Sequence, residues 1–527
     1  MADFRVATAG AEPSGGIAHT PALYRRLDAV MLAVLLIARV RIDSLADASA
    51  LPFRQQDVAR QPFFSHLLSA DAMKLLAQQQ VIDPIGLLLI VAALGCLLAY
   101  FLVDEFVRRG RTAYRLKLAL IWLIIVLTVF APSSKMILLR RGSGPASYSH
   151  DGGVIQTEAT IDFFLHGQNP YRENYLQTPM AEWGINEFRT ALYHYPYLPW
   201  TFLFSTPFRL LADRLIGWYD QRFVYLLLFA LTLALLPGLM RRRPDAGADS
   251  GANDGVSFGR PAGQPTLLLV MLIGLNPMMG LDLIYGQNDS FILAWIVLSL
   301  WFLARADGAG SSRAMLGSRP RHRMTAAEGW YLASAAAFGL ACASKPTAWF
   351  LAPGYLLLLG RARTPDGDGR ERAGRQTGRP RLAAFGAWLE RVSRRGWPAL
   401  AAVILIIGPY LIWDAGSLID DVWKWSAGTS PTSYQIWGWG ASNLVLALGW
   451  VKTRFAYWPF WIPELLLGGP LLAALLWRQW RTNTAGHACR GYAIFLFLFF
   501  FVSRFLNENY LGYILAFLVL GMLLPDE

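Results

Sequence analysis

Apolar runs recur along the whole chain: Pro84 to Val103, Leu116 to Pro132, Phe223 to Met240, Thr266 to Tyr285, Phe291 to Leu303 and Tyr492 to Phe501. Such runs predict helices that cross a bilayer, where every backbone polar group must be satisfied inside the segment. Several fall below the roughly 20 residues that cross a hydrocarbon core. Those short runs predict broken or tilted helices of the kind that line buried cavities. The expected fold is all-α and polytopic, with about eleven to thirteen spans. An early run, Val30 to Val40, follows Arg25 and Arg26 and shows no small-residue cleavage pattern before Arg41, so it reads as an uncleaved anchor.

Polar segments between the runs divide by charge. Basic blocks at Arg108 to Lys117, Arg241 to Arg243, Arg305 to Arg323, Arg361 to Arg395 and Arg478 to Arg490 mark cytoplasmic loops by the positive-inside rule. The outer face then receives Ile42 to Val81, a long loop over 133–195, the turns at Gly286 to Ser290 and around Lys345, the aromatic loop Asp414 to Tyr457, and Arg504 to Tyr510. One conflict follows, because two apolar runs, Pro196 to Leu211 and Phe223 to Met240, lie between an outer loop and the inner Arg241. Either the first, with Pro196, Pro199 and Pro207, is re-entrant or interfacial, or the triple arginine breaks the rule. Arg241 to Gly263 and Arg361 to Gly378, rich in arginine, glycine and proline, read as solvated cytoplasmic linkers. No internal repeat is visible, which weighs against the inverted repeats common in secondary transporters.

Composition supports this reading. Of 527 residues, 54% are hydrophobic and only 16% charged, against about 25% charged in ordinary soluble chains. The net charge of +12 sits in blocks between apolar runs rather than on one basic face, which argues against a nucleic-acid partner. Cys96, Cys342 and Cys489 are scattered and offer neither a disulfide framework nor a metal spacing.

The long outer loop carries the richest chemistry, from His150-Asp151-Gly152-Gly153 to Gly167-Gln168-Asn169-Pro170-Tyr171. Gly167 suits a left-handed helix C-cap and Pro170 blocks continuation, so a short helix is expected with Asp151 at its start. At about 100° per residue, Asp151, Glu158 and Asp162 fall on one face. Neighbouring carboxylates raise one another's pKa, which is one way to build a general base; the alternative is a solvated face with Asp151 as a simple cap. His194 and Tyr195 lie in the aromatic stretch Tyr193 to Trp200 that opens an apolar run, read either as interfacial anchors or as a wall for a sugar or isoprenoid with His194 as a polar contact. Gln287, Asn288 and Asp289 separate two apolar runs, and capping explains only one of them. Lys345 interrupts the apolar stretch Trp330 to Leu359, either snorkelling to headgroups or pairing with a lipid phosphate. Arg504 is placed to hold a phosphate or to pair with Glu508 at i,i+4, and Asn509 and Tyr510 complete that polar island.

In their order along the chain these motifs resemble the GT-C superfamily of membrane glycosyltransferases, within it the bacterial group that takes mannose from polyprenol phosphate. The matching features are Asp151 ahead of Gly167-Gln168-Asn169-Pro170-Tyr171, Tyr193 to Pro199, Gly286-Gln287-Asn288, Lys345-Pro346, Ser433-Tyr434 with Ser442-Asn443, and Asn509-Tyr510. The similarity covers residues 116–527, with 133–195 as the catalytic outer loop and 361–396 as a cytoplasmic arginine-rich loop; residues 1–115 have no counterpart. It implies a GT-C-like catalytic domain in a bacterial plasma membrane with its site facing outward, Asp151 as base and Asp162 as the less favoured candidate. It also implies inverting transfer from a polyprenyl-phosphate sugar to a lipid or glycan acceptor. Lys345 and Arg504 would stabilise the departing phosphate, with Glu158, Tyr171, His194, Tyr195, Gln287, Asn288, Asp289, Glu508, Asn509 and Tyr510 around donor and acceptor. Tyr197 stands where that family often has a second consecutive proline. No cofactor and no obligatory metal are expected. The alternatives are the same fold with arabinofuranose or glucose as the sugar, or a lipid or solute transporter or flippase.

Overall fold

The computed structural model describes residues 26–48, 51–78, 83–108, 110–183, 189–240, 263–314, 325–361 and 381–525. They form a predominantly helical, multi-pass membrane protein. Among the described residues, six helices are long and apolar enough to cross a bilayer: Pro84–Phe106, Arg111–Ser143, Arg222–Leu239, Asp289–Ala309, Ala383–Ala427 and Ala485–Val502. A bent pair, Gln264–Gly274 with Pro277–Tyr285, gives seven if counted as one span. The apolar runs led to an expectation of about eleven to thirteen spans. The difference lies in runs that fold as shorter helices, such as Pro346–Gly360 and Glu508–Leu523. The expected anchor is the helix Leu27–Ala48, which carries Asp28, Arg39 and Arg41 and is not among the six.

Two boundaries differ from the sequence reading for identifiable reasons. The outer loop was expected to begin at Ser133, yet the helix continues through Pro132 to Ser143. A π-helical turn, Val126–Phe130, precedes the proline; such a turn relieves the missing N–H and the ring clash that end an ordinary helix. The arginine-rich loop expected over 361–396 is helical from Arg381, in one long helix to Ile419 that breaks only at Asp414 (φ −162°, ψ 91°). The rest of that loop and the linker expected over 241–263 lie almost wholly outside the described residues. Between 196 and 240, Trp200–Ile216 stops at a left-handed Gly217 (φ 73°), and only Arg222–Leu239 has the length and apolarity of a span.

The described residues between 26 and 100 pack into the rest of the molecule. Buried Asp28 accepts from Tyr100 (2.6 Å) and from Lys117 (2.7 Å), and Asp83 pairs with Lys135 at 2.5 Å. A small apolar cluster joins Val58, Phe64 and Met73 to Met136, Leu139 and Ile284. The short helices 51–77 thereby brace the segment that leads to Asp151: Tyr148 donates to Asp57 at 2.5 Å, and Arg54 donates to the Tyr285 hydroxyl at 3.3 Å.

Three local devices bring distant polar islands together. At the bent pair, Pro277 supplies no N–H, while Asn276 caps the second half by accepting from Met279 N and donates to the Gly512 carbonyl at 2.8 Å. A Cβ on Gly512 would lie 2.8 Å from Met279 N, so the last helix crosses the bend closely. Finally, Trp437–Gly438 pairs in parallel with Phe505–Leu506, tying the aromatic loop to the last polar island.

Candidate active site

Asp151 opens the short helical segment that ends at Leu165, and its first turn, Asp151–Gln156, is π-helical. Gly152 and Gly153 follow it because no side chain fits there. A Cβ on Gly153 would lie 1.9 Å from the Gly286 carbonyl oxygen, and one on Gly152 would lie 2.8 Å from the Tyr197 hydroxyl. His150 N donates to the Tyr285 carbonyl at 2.7 Å, and Tyr225 donates to the Gly153 carbonyl at 2.5 Å. The backbone around Asp151 is therefore pressed against both the 286–290 turn and the tyrosine stretch.

That turn contributes the second half of the site. Lys345 Nζ lies 2.7 Å from Asp289 Oδ1 and 3.3 Å from Asn288 Oδ1. Its ammonium also faces the rings of Tyr510 (4.9 Å) and Tyr197 (5.7 Å). Asn509 donates to the other oxygen of Asp289. Lys345, Asn288, Asp289 and Asn509 are all buried, so the pair sits where a charge without a partner would be costly. Asp289 begins the 26-residue helix Asp289–Ala314, whose N-terminal N–H groups favour negative charge. The Asn288 amide nitrogen and the Ser290 hydroxyl are buried without a protein partner, and a buried donor left over in this way points to a ligand or water.

Aromatic groups close the site. Tyr197 is set between Asp151 and Lys345; burial first, then the charge of Asp151, pushes its phenol far up, so the hydroxyl keeps its proton. Tyr510 stacks on Phe500 at 4.2 Å. Tyr434 accepts from Asn507 at 3.3 Å and packs on Phe505 and Trp425 at 4.7 Å.

The Asp151 carboxyl itself titrates low. Burial raises it, but His150, the Gly152 N–H and Arg189 outweigh burial and hold it below the ordinary carboxylate value. His150 Nδ1 lies 2.8 Å from Asp151 Oδ1, and the Gly152 N–H donates to the same oxygen at 2.7 Å. The carboxyl is 18% exposed, so it is reachable and ionised, as a group that takes a hydroxyl proton must be.

Other expectations need correction. Asp151, Glu158 and Asp162 do not form one acidic face, because the π-helical turn shifts the phase between them and each has its own partner. Glu158 is locked in a two-pronged pair with Arg140 (2.8 and 2.7 Å). Asp162 lies 3.3 Å from Arg209, and burial raises its pKa above the ordinary value. The neighbouring charge that sets Asp151 is thus positive, and its pKa moves down rather than up.

Arg504 does not take Glu508 or stand free for a phosphate. Its buried guanidinium donates to the carbonyls of Tyr434 (2.5 Å), Ala456 (3.0 Å), Phe455 (3.1 Å) and Arg454 (3.4 Å), while Glu508 is exposed. Tyr171 is buried, donates to the Tyr197 carbonyl at 2.8 Å and packs edge-on to Tyr410. Tyr195 is completely buried among Tyr171, Tyr197 and Phe202. His194 is held by Asp421 and Thr432. These three support the tyrosine wall from behind. Gln287 is half-buried on the turn beside Gly153.

Sequence reasoning passed over the scaffold beneath Asp151. Asp220, fully buried, accepts from Arg140 (2.9 Å) and twice from Arg222 (2.8 and 2.7 Å). Burial raises Asp220, but the two guanidinium groups overwhelm it and hold the carboxyl well below the carboxylate range. Arg222 also donates to the carbonyls of Tyr148 (2.8 Å) and Ile284 (2.9 Å), which joins the two backbones that flank Asp151. The signal was present: Asp220-Gln221-Arg222 is a polar island between two apolar runs, like the islands that were singled out. No family model matches the chain, and no curated protein is found to match it.

Proposed function

We propose that this membrane protein is a glycosyltransferase that moves a sugar, mannose by resemblance, from a polyprenyl-phosphate donor to a lipid or glycan acceptor, with its site facing the outside of a bacterial plasma membrane. The single observation that carries this reading is that the segment opened by Asp151 packs on the same 286–290 turn that holds Lys345. Tyr197 links the two, with its hydroxyl against Gly152 and its ring 5.7 Å from the Lys345 ammonium. One group is an ionised, reachable carboxylate and the other a buried ammonium beside a helix N-terminus. Sugar transfer from a phosphate needs both: a base for the acceptor hydroxyl and positive charge where the phosphate departs.

In this mechanism Asp151 takes the proton of the acceptor hydroxyl as that oxygen bonds to the anomeric carbon. The bond from that carbon to the phosphate oxygen breaks, and the electron pair leaves with the polyprenyl phosphate. His150 keeps Asp151 ionised before the reaction. Lys345 has two protein acceptors, Asp289 and Asn288, and its third N–H is the one offered to the phosphate; the Asn288 amide and Ser290 hydroxyl add neutral donors. Tyr197, Tyr434 and Tyr510 give the sugar an aromatic enclosure. The GT-C affiliation belongs to this proposal and rests on the order of motifs along the chain.

The test is a donor panel. Purified protein in liposomes is given labelled polyprenyl-phosphate mannose, glucose or arabinofuranose with membrane acceptors, and product is measured together with uptake of free solutes. Transfer from the mannose donor alone supports the proposal as stated, and transfer from another donor changes the sugar. Solute uptake with no transfer from any donor replaces the enzyme reading with a transporter.

A further inference from the structure

One buried carboxylate is held unlike the others. Among the described residues the buried acids are Asp28, Asp83, Glu158, Asp220, Asp289 and Asp421. Five of them meet a lysine or arginine: Asp28 with Lys117, Asp83 with Lys135, Glu158 with Arg140, Asp220 with Arg140 and Arg222, and Asp289 with Lys345. Asp421 instead faces an imidazole, with His194 Nδ1 2.8 Å from its Oδ1, and a second carboxylate, Asp420, lies 3.5 Å from the same nitrogen. Two acids thus share one weak base, in a molecule that otherwise matches buried carboxylates with full cations.

Each of the three groups also has a further hydrogen-bond partner. His194 Nε2 lies 2.5 Å from Thr432 Oγ1, Tyr195 N donates to Asp421 Oδ2 at 2.9 Å, and Ser430 donates to Asp420 Oδ2 at 3.1 Å. One nitrogen and one oxygen from each acid lie within 4.8 Å of one another. Outer partners of this kind orient the ring and carboxylates of a metal ligand set. A tetrahedral ion with bonds of about 2.0–2.2 Å places its donors roughly 3–3.5 Å apart, and the 2.8 and 3.5 Å that separate the His194 nitrogen from Asp421 and Asp420 bracket that range.

We propose that His194, Asp420 and Asp421 bind one divalent cation of the zinc type. The imidazole selects against magnesium and calcium, which prefer oxygen alone. Asp420, 31% exposed, is the side from which the ion enters and leaves an open position. Binding requires Nδ1 without its proton, with the remaining N–H on Nε2 donated to Thr432. The ion neutralises the paired carboxylates and clamps the loop at 420–432 to the tyrosine stretch at 194–195. Its role is to position that wall, and it does not depend on which sugar, if any, the Asp151 site transfers.

The test uses tag-free, chelator-treated full-length protein in detergent, titrated with ZnCl2, and separately with MnCl2 and MgCl2, with bound metal counted by elemental analysis and thermal unfolding followed in parallel. The expected result is one zinc per chain, a rise in Tm on binding, and magnesium bound far more weakly. His194→Ala should abolish binding, and Asp420→Asn should weaken it at least about tenfold while leaving the Tm of the metal-free protein unchanged. If His194→Ala does not fold, Asp420→Asn decides. No stoichiometric zinc in the wild type, or equal affinity in Asp420→Asn, overturns the site and leaves a hydrogen-bonded lock.

Discussion

At the residue scale, two interactions set the chemistry of the site. His150 holds Asp151 ionised, and because the Asp151 pKa is depressed, its base form persists until the pH falls below the ordinary carboxylate range. Its stabilising contribution is present above the unfolded carboxylate value of about 3.9 and is lost as pH falls through the lower folded value. His150→Gln removes the charge that lowers this pKa, so the acid limb of the pH–rate profile should move to higher pH; an unmoved limb would assign His150 no such role. The Lys345–Asp289 pair is almost wholly buried, with side chains 8% and 2% exposed. Lys345→Met alone should cost about 3–5 kcal/mol, because it strands a buried carboxylate. Adding Asp289→Asn should restore most of the stability without restoring activity. Thermal unfolding and transfer assays on the single and double variants check both halves, and an active double variant would remove Lys345 from the chemistry.

At the scale of elements, the site depends on backbones brought into contact. Gly153 lets the first loop touch Gly286, and Gly153→Ala should force them apart at a cost of about 1–3 kcal/mol, with activity falling along with Tm. Activity unchanged at full occupancy of the folded state would contradict the contact. Arg504 ties its own island to four carbonyls of the aromatic loop, so Arg504→Gln should make residues 434–456 sensitive to limited proteolysis; a protected loop would show that the parallel strand pair suffices.

The same elements explain what the sequence could and could not tell. The polar islands at 151, 288, 345 and 509 were legible because each interrupts an apolar run, where a polar group needs a reason. Their grouping was not legible, since it depends on the bend at Asn276-Pro277 and on close glycine contacts between distant segments. The helical phase from Asp151 to Asp162 was misjudged because a π-helical turn leaves no mark in hydrophobic periodicity. Pro132 misled in a similar way, as a bulge upstream let the helix pass through it. Arg504 looked available because carbonyl partners from a loop some 50 residues away in sequence carry no charge pattern to read.

For the whole molecule, the described residues between 51 and 100 act as a brace rather than a separate unit, through Arg54, Asp57 and Asp83. Arg54→Ala and Asp57→Asn together should loosen Tyr148 and lower activity through the position of Asp151. The placement of the site outside the membrane can be checked on a cysteine-free background. Gln168→Cys, at an exposed position, should react with an impermeant thiol reagent applied to intact cells. Thr482→Cys, also exposed, should react only after the cells are opened. The reverse pattern would turn the protein over and place the Asp151 site on the cytoplasmic side.

The most direct measurement is transfer of labelled sugar from polyprenyl phosphate by the wild type and by Asp151→Asn, at equal amounts of folded protein. The proposed mechanism predicts a loss of about 10²–10⁴-fold in the variant, with Tm nearly unchanged and donor binding retained. Full transfer by Asp151→Asn would contradict it.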